Sequence, residues 1–279
     1  MLAADDAPLP PAVRAFDAIA ADFDSRFGAW ASVAAQRRAV RRILLGSFPK
    51  GASLLELGGG TGEDALFLAA HGRSVHLTDG APEMVRLASG KARATGLSAS
   101  VVAERVAIEE LDAFADRRQK AGESLFDGCY SNFAAFNCVA DVSAAGRALG
   151  RLVKPGGRAL LVVFGPFCPG EVLTLLLRGN ARAAFRRISK KPVRARVGGS
   201  PFAVTYPSPR AFARAFAPFF LLRGTLGVGV FVPPSSAEPL VSRFPRLLSL
   251  LEAMDRLVAR PLALLGDHVL LDLVRTEAP

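Results

Sequence analysis

The chain has 279 residues, 51% of them hydrophobic, and a net charge of +10, which suffices for one large α/β core with insertions or a core with a small cap. Three cysteines, Cys129, Cys138 and Cys168, share no CxxC spacing and are joined by only three histidines, so neither a disulfide framework nor a zinc site is indicated. The acidic, proline-rich start MLAADDAPLPP is unlike a signal peptide, and no stretch reaches the roughly 18 uncharged apolar residues of a membrane span; a soluble, cytoplasmic protein is expected.

In chain order, Val13, Phe16, Ile19, Ala20 and Phe23 recur at helical spacing and predict a helix over 12–24. A second helix over 31–45 carries Val33, Arg37, Val40 and Leu44 and is stopped by Gly46 and Pro49. Ser53 to Ala69, SLLELGGGTGEDALFLA, then reads as an apolar strand, a glycine loop and a helix. Gly60, Gly62 and Ala65 fit the dinucleotide pattern G-x-G-x-x-(G/A), whereas Glu56, Gly58, Gly60 and Gly62 fit the longer E-x-G-x-G-x-G. A strand-to-helix turn without a ligand is the third reading. Ser74 to Thr78 predicts a second strand ending at Asp79, close to the roughly 20-residue spacing at which an acid meets ribose hydroxyls. Pro82 suits the first turn of the helix that follows.

Glu56 and its glycines, followed by Asp79, Pro82, Glu83 and Met84, resemble the class I S-adenosylmethionine-dependent methyltransferases, in which D-x-S-P-E-M-L-x-x-A follows the glycine motif. A dinucleotide fold also wants Asp79 but does not account for P-E-M. The resemblance implies S-adenosylmethionine as cofactor, with Glu56 seating its methionine part, and Gly58, Gly60, Gly62, Asp79 and Met84 around it. Phe16, Asp17, Ala20 and Asp24 match the family's F-D-x-x-A-x-x-Y-D signature, with Phe23 in place of tyrosine. That implies N-terminal helices packed over the cleft without the hydroxyl.

Val101 to Val106 predicts a third strand leading to Ala107 and Ile108. The family places adenine here, and with the usual Asp missing Ile108 is the implied contact. Phe126 to Ser131 predicts the fourth strand, with Asn132 at its carboxyl end, the ligand-binding edge of an open α/β sheet. N-P-P-Y is absent, so methylation of nucleic-acid bases or glutamine is not supported. The form S-N-F-x-x-x-N-C resembles the small-molecule UbiE/type 11 branch. It implies Asn132 at the cofactor and Phe133, Phe136 and Asn137 at the substrate pocket, although both phenylalanines serve equally well as core. A helix from Val142 to Val153, the turn Lys154-Pro155-Gly156-Gly157 and the apolar strand Arg158 to Phe164 complete the set.

The implied architecture is α/β: a doubly wound, seven-stranded, mainly parallel sheet with N-terminal helices and a cap inserted between strands five and six. It divides into a helical cover (1–50), a cofactor-binding core (51–164), a basic cap (165–218) and C-terminal strands with an intervening helix (219–279). From Glu171 to Arg223 there are eleven basic residues and one acid, so this segment alone carries the chain's whole +10. Arg178 to Arg196 is then a solvated helix face, a surface drawing in an anionic substrate or acyl carrier, or an interfacial segment on acidic lipid. Only Phe185 and Tyr206 are available to stack on bases, so no nucleic-acid partner is expected, and Tyr206 joins the candidate substrate pocket. Ala217 to Val232 predicts a sixth strand, Ser235 to Arg260 a helix, and His268 to Arg275 a last, antiparallel strand whose start meets the cleft. His268 is therefore the candidate general base, or else a strand-start histidine bonded to backbone or solvent. The expected activity is methyl transfer to oxygen of a small apolar or anionic metabolite. Methylation of a lipid or carrier-bound substrate, and a cofactor-binding scaffold without turnover, stay open, as does the oligomeric state.

Overall fold

The computed structural model describes residues 9–277; the first eight residues of the acidic start lie outside this range. Seven strands form one sheet in the order β3-β2-β1-β4-β5-β9-β8: β1 Ser53–Leu57, β2 Ser74–Asp79, β3 Val101–Arg105, β4 Phe126–Ser131, β5 Val153–Phe164, β8 Phe220–Val228 and β9 His268–Arg275. β1 to β5 are mutually parallel, and β9 runs antiparallel between β5 and β8. The fold is the doubly wound, mainly parallel sheet expected from the sequence.

Both faces of this sheet are covered, which explains strands that read as unbroken apolar runs rather than alternating ones. Leu55, Leu57, Leu161 and Val163 pack on one side with Phe114, Leu149, Phe212 and Phe216. Leu54, Leu160 and Val162 pack on the other with Leu44, Leu68, Leu77 and Ala88. The helices supplying these layers are α3 Ala31–Ser47, α4 Glu63–Ala70, α5 Pro82–Ala94, α6 Leu111–Lys120, α7 Val142–Leu152 and α10 Pro209–Phe216. The strand order reverses between β1 and β4, so the crevice at their carboxyl ends is where this architecture takes ligands.

Several boundaries differ from the sequence reading. The first helix is two, α1 Pro11–Asp17 and α2 Ala20–Gly28. The break lets α1 lie along a hairpin of residues 193–204 while α2 packs on α3 and α5. β5 starts at Val153 and contains Lys154 to Gly157 as an irregular stretch, with Gly156 at φ +77°. β8 is shorter than Ala217 to Val232, because the Asp255 carboxylate accepts from the amides of Phe231 and Val232 and turns that segment into a loop. The expected helix from Ser235 to Arg260 is only α11 Pro245–Val258, since Pro239 and Pro245 are tolerated no deeper than a first helical turn. Between β5 and β8 lie α8 Pro169–Leu177, α9 Ala181–Ala184, a hairpin of β6 Val193–Val197 with β7 Ser200–Val204, and α10. Phe212 and Phe216 of α10 are core residues, so the projecting part of the insertion is α8 to β7. No described helix is long and apolar enough to cross a membrane.

Candidate active site

The crevice opens into a cavity of about 470 Å³, within the usual range of small-molecule sites. Its floor is the glycine loop. The amides of Gly58 and Gly59 donate to Thr78 O at 2.8 and 3.1 Å. A Cβ at Gly59 would stand 2.5 Å from Leu77 Cγ, so only glycine fits there. Gly60 differs: its φ is +56° and a Cβ would meet nothing within 4 Å, so its bare backbone faces the open space. The Gly60 amide donates to Asp79 Oδ2 at 2.8 Å, and Ala81 N donates to Oδ1 at 2.9 Å. Burial raises the Asp79 carboxyl against these bonds, and each oxygen keeps a lone pair for a further donor. Gly62 caps α4 and does not line the cavity.

Glu56 lies on the cavity wall yet is buried. Burial first, then the neighbouring Asp64 charge, hold its carboxyl well above the usual range. Its Oε2 and the Tyr130 hydroxyl close to it miss full hydrogen-bond geometry and have no other partner, so the only donor near Oε2 is that neutral hydroxyl. A buried acceptor in this state suits a cationic donor from a ligand, which removes the cost of leaving it unpaired. Asn132 also lines the cavity, but its amide is engaged: Nδ2 donates to Asp64 Oδ2 at 2.8 Å and Oδ1 accepts from Phe133 N at 2.9 Å. Asp64 in turn holds Arg37 at 3.2 Å and Arg41 at 2.6 Å. Phe133 and Ala134 have φ of 52° and 65°, a strained left-handed backbone of the kind concentrated at functional loops.

Met84, Ile108, Phe133 and Tyr206 line the cavity. Phe136 and Asn137 do not, which corrects the expectation that they belong to the substrate pocket. Phe136 is fully buried among the core side chains and packs on Phe216. Asn137 is a clamp, its Oδ1 accepting from Phe164 N at 3.0 Å and its Nδ2 donating to Thr205 O at 2.7 Å. Overhead, Phe16, Phe23 and Phe27 of α1 and α2 line the cavity, with Phe16 against Phe202 of the hairpin at 5.7 Å. Asp17 accepts from Glu83 N at 2.8 Å, and Asp24 accepts from the Thr61 hydroxyl at 2.6 Å, tying this cover to α5 and to the glycine loop.

His268 is on the opposite wall, stacked on Phe164 at 5.0 Å and edge-on to Phe133 at 5.7 Å. Burial lowers its pKa below 6.5, partly offset by Asp267, so the ring is neutral at pH 7. Its tautomer follows from donors and acceptors. Arg187 Nη2 donates to Asp267 Oδ1 at 2.6 Å and Gln36 Nε2 to Oδ2 at 3.1 Å. The Gln36 oxygen therefore turns to His268 Nδ1, 3.0 Å away, and must receive a proton from it. Nε2 is left unprotonated, with no protein partner among the described residues. Arg187 is itself buried and also donates to Glu171 Oε2 at 2.7 Å; with Arg186, which pairs with the other Glu171 oxygen at 2.5 Å, it belongs to an internal network and not to a solvated face. Gln36, Arg37, Asp64 and Glu171 are site residues that the sequence did not single out. Cys138 also reaches the cavity, but burial pushes its thiol up to about 11, so it is no thiolate nucleophile.

Residues 54–157 match the family described as methyltransferase domain. Comparison with curated proteins finds no match. Among solved structures, the chain is similar to the DhpI–SAH complex, with 16% identity, 97% of this chain and 98% of that one covered, and a TM-score of 0.59. It is likewise similar to the CcbJ methyltransferase of Streptomyces caelestis, at 15% identity over 87% of this chain and 89% of that one, TM-score 0.56. An S-adenosylmethionine-dependent methyltransferase of Mesorhizobium loti shares 17% identity over 86% of this chain and 98% of its own, TM-score 0.52. Glycine loop, strand order and domain match agree: residues 54–157 match a methyltransferase domain, and the seven-stranded sheet has the fold of the solved methyltransferases to which the chain is similar.

Proposed function

We propose that the protein transfers a methyl group from S-adenosylmethionine to an oxygen of a small, largely apolar or anionic acceptor. The observation that carries this reading is one cavity holding both the Glu56–Gly60–Asp79 cradle and an unprotonated His268 Nε2. The residues suit the cofactor: Glu56 offers a buried oxygen that only the Tyr130 hydroxyl approaches for the ammonium, Asp79 free lone pairs for the ribose hydroxyls, Gly60 an open backbone, and Ile108 and Met84 apolar surface for the base. When bound, the cofactor supplies an electrophilic methyl on its sulfonium.

The protein's part is then to orient the acceptor and dispose of its proton. Orientation accounts for up to roughly 7–11 kcal/mol of such a barrier. Phe16, Phe23 and Phe27 above and Phe133, Phe164 and Tyr206 at the side exclude water and favour an apolar acceptor body. His268 accepts the hydroxyl proton at Nε2, while Gln36 and Asp267 hold Nδ1–H and stabilise the cation that results. Arg37, over the Phe133 ring at 4.9 Å and paired with Asp64, and Arg186, paired with Glu171, also reach the cavity and offer donors to an anionic group. The test is incubation with methyl-labelled S-adenosylmethionine and fractionated small metabolites. Label in an ether or ester product supports the reading, and label only in nitrogen or carbon products contradicts its choice of acceptor atom.

A further inference from the structure

The insertion that roofs the cavity also has an outer face, and that face is unusual. Leu173, Leu176 and Leu177 of α8 are exposed, Leu177 to 80%; at spacings of three and four they share one side of the helix. Phe185 and Ile188 are exposed on the segment that packs beside it, at 48% and 61%. Next to them in the chain are four exposed cations, Arg178 and Arg182 directly after α8 and on α9, and Lys190 and Lys191 just beyond Ile188. None forms an ion pair among the described residues, because the segment's one acid, Glu171, is buried and taken by Arg186 and Arg187. Clustered large apolar side chains are uncommon on a free protein surface, and exposed leucines followed along the chain by unpaired cations are the pattern of a segment lying in a membrane interface.

We propose that the α8–α9 face docks on an anionic phospholipid bilayer, from which an amphiphilic acceptor enters the cavity behind it. Charge decides between occupants. A second copy would bring the same cations against these, whereas acidic headgroups supply the missing counter-charge while the leucines enter the acyl boundary. Position decides the purpose, since Arg186, Arg187 and Val193 of the same segment line the cavity. The purpose rests on the methyl-transfer reading; the docking does not.

The test is flotation of the full chain with vesicles of phosphatidylcholine alone and of equal parts phosphatidylcholine and phosphatidylglycerol, without cofactor. Binding to the mixed vesicles, weak binding to phosphatidylcholine and release by added salt are expected. Leu173→Glu with Leu177→Glu should cut the bound fraction at least about tenfold, and Arg178→Gln with Arg182→Gln should flatten the salt dependence. Unchanged unfolding temperature and cofactor affinity in both variants show that only the surface was altered. No flotation at low salt, equal binding to both vesicle types, or leucine variants that float like wild type would overturn the proposal. So would a reversible dimer, seen by sedimentation, that the leucine variant abolishes. Each of these leaves the cofactor reading standing, because calorimetry with S-adenosylmethionine scores it separately.

Discussion

Arg187 offers the sharpest test of how the cap is joined to the site. It is 5% exposed and sits between two carboxylates, Glu171 at 3% and Asp267 at 4%. Arg187→Met removes the charge and keeps much of the volume. Glu171 retains Arg186, but Asp267 is left with Gln36 and the neutral His268, a buried charge without a cation. Breaking a buried pair from one side costs roughly 3–5 kcal/mol, and the partner left to Glu171 argues for the lower end, about 3 kcal/mol. At about 2–4 °C per kcal/mol for a chain of this size, the unfolding temperature should fall by roughly 6–12 °C.

The pH dependence carries the sign. In the wild type, burial opposes ionisation of Asp267, but the charge that His268 takes up in acid, the Arg187 charge and the bonds from Arg187 and Gln36 hold its pKa below the ordinary 3.8. That stability is present above pH 3.8 and is lost as pH falls through the depressed value. Without Arg187, burial dominates and the Asp267 pKa rises, so the variant is relieved as the carboxylate protonates. The gap between wild type and variant should be widest at neutral pH and narrow in acid, followed by thermal melts across the range. Adding Asp267→Asn to Arg187→Met should recover much of the loss. A gap that is constant with pH, or no recovery in the double variant, would refute the network as drawn.

Other substitutions separate stability from binding. Glu56→Gln removes a carboxylate whose folded pKa is raised; such a group costs stability as pH rises above its unfolded value, so melts at pH 7 should be unchanged or higher while calorimetric affinity for S-adenosylmethionine falls at least about tenfold. Asp79→Ala should weaken the same affinity by roughly 10–100-fold, the worth of a buried hydrogen-bonded charge; an unaltered titration would remove Asp79 from the ribose. Gly60→Val strains a positive-φ position and fills open space, so it should abolish binding with only a modest drop in unfolding temperature. For His268→Ala, turnover should drop by roughly 10²–10⁴-fold, and the acid limb of the pH–rate profile, lying below 6.5 in the wild type, should vanish; retained turnover with the limb intact would exclude His268 as base.

How far the sequence reached depended on the range of the interactions involved. The glycine loop, Asp79 and the central strands were legible because each is encoded within a few residues: runs of buried apolar side chains, glycines at positive φ and an acid at a strand end. Asn137 misleads for the same reason. Its place beside Phe136 after a strand suggested a ligand contact, while its real partners, Phe164 N and Thr205 O, lie 27 and 68 residues away. Gln36 was hidden on an ordinary amphipathic helix, since periodicity shows which face is buried but not that a polar group on it meets Asp267 and His268, 231 and 232 residues later. Arg187 belongs by sequence to the basic cluster, yet it turns inward, because Glu171 and Asp267 await it 16 and 80 residues away. Net charge revealed the cluster; only the fold sorted its internal cations from those at the surface.

Everything proposed for this protein requires that the cavity above Glu56, Gly60 and Asp79 receive the methyl donor. Calorimetric titration of the purified chain with S-adenosylmethionine, and in parallel with NADH, tests it directly. Saturable one-site binding of the former and none of the latter is expected. Absent heat with S-adenosylmethionine alongside binding of NADH would contradict it.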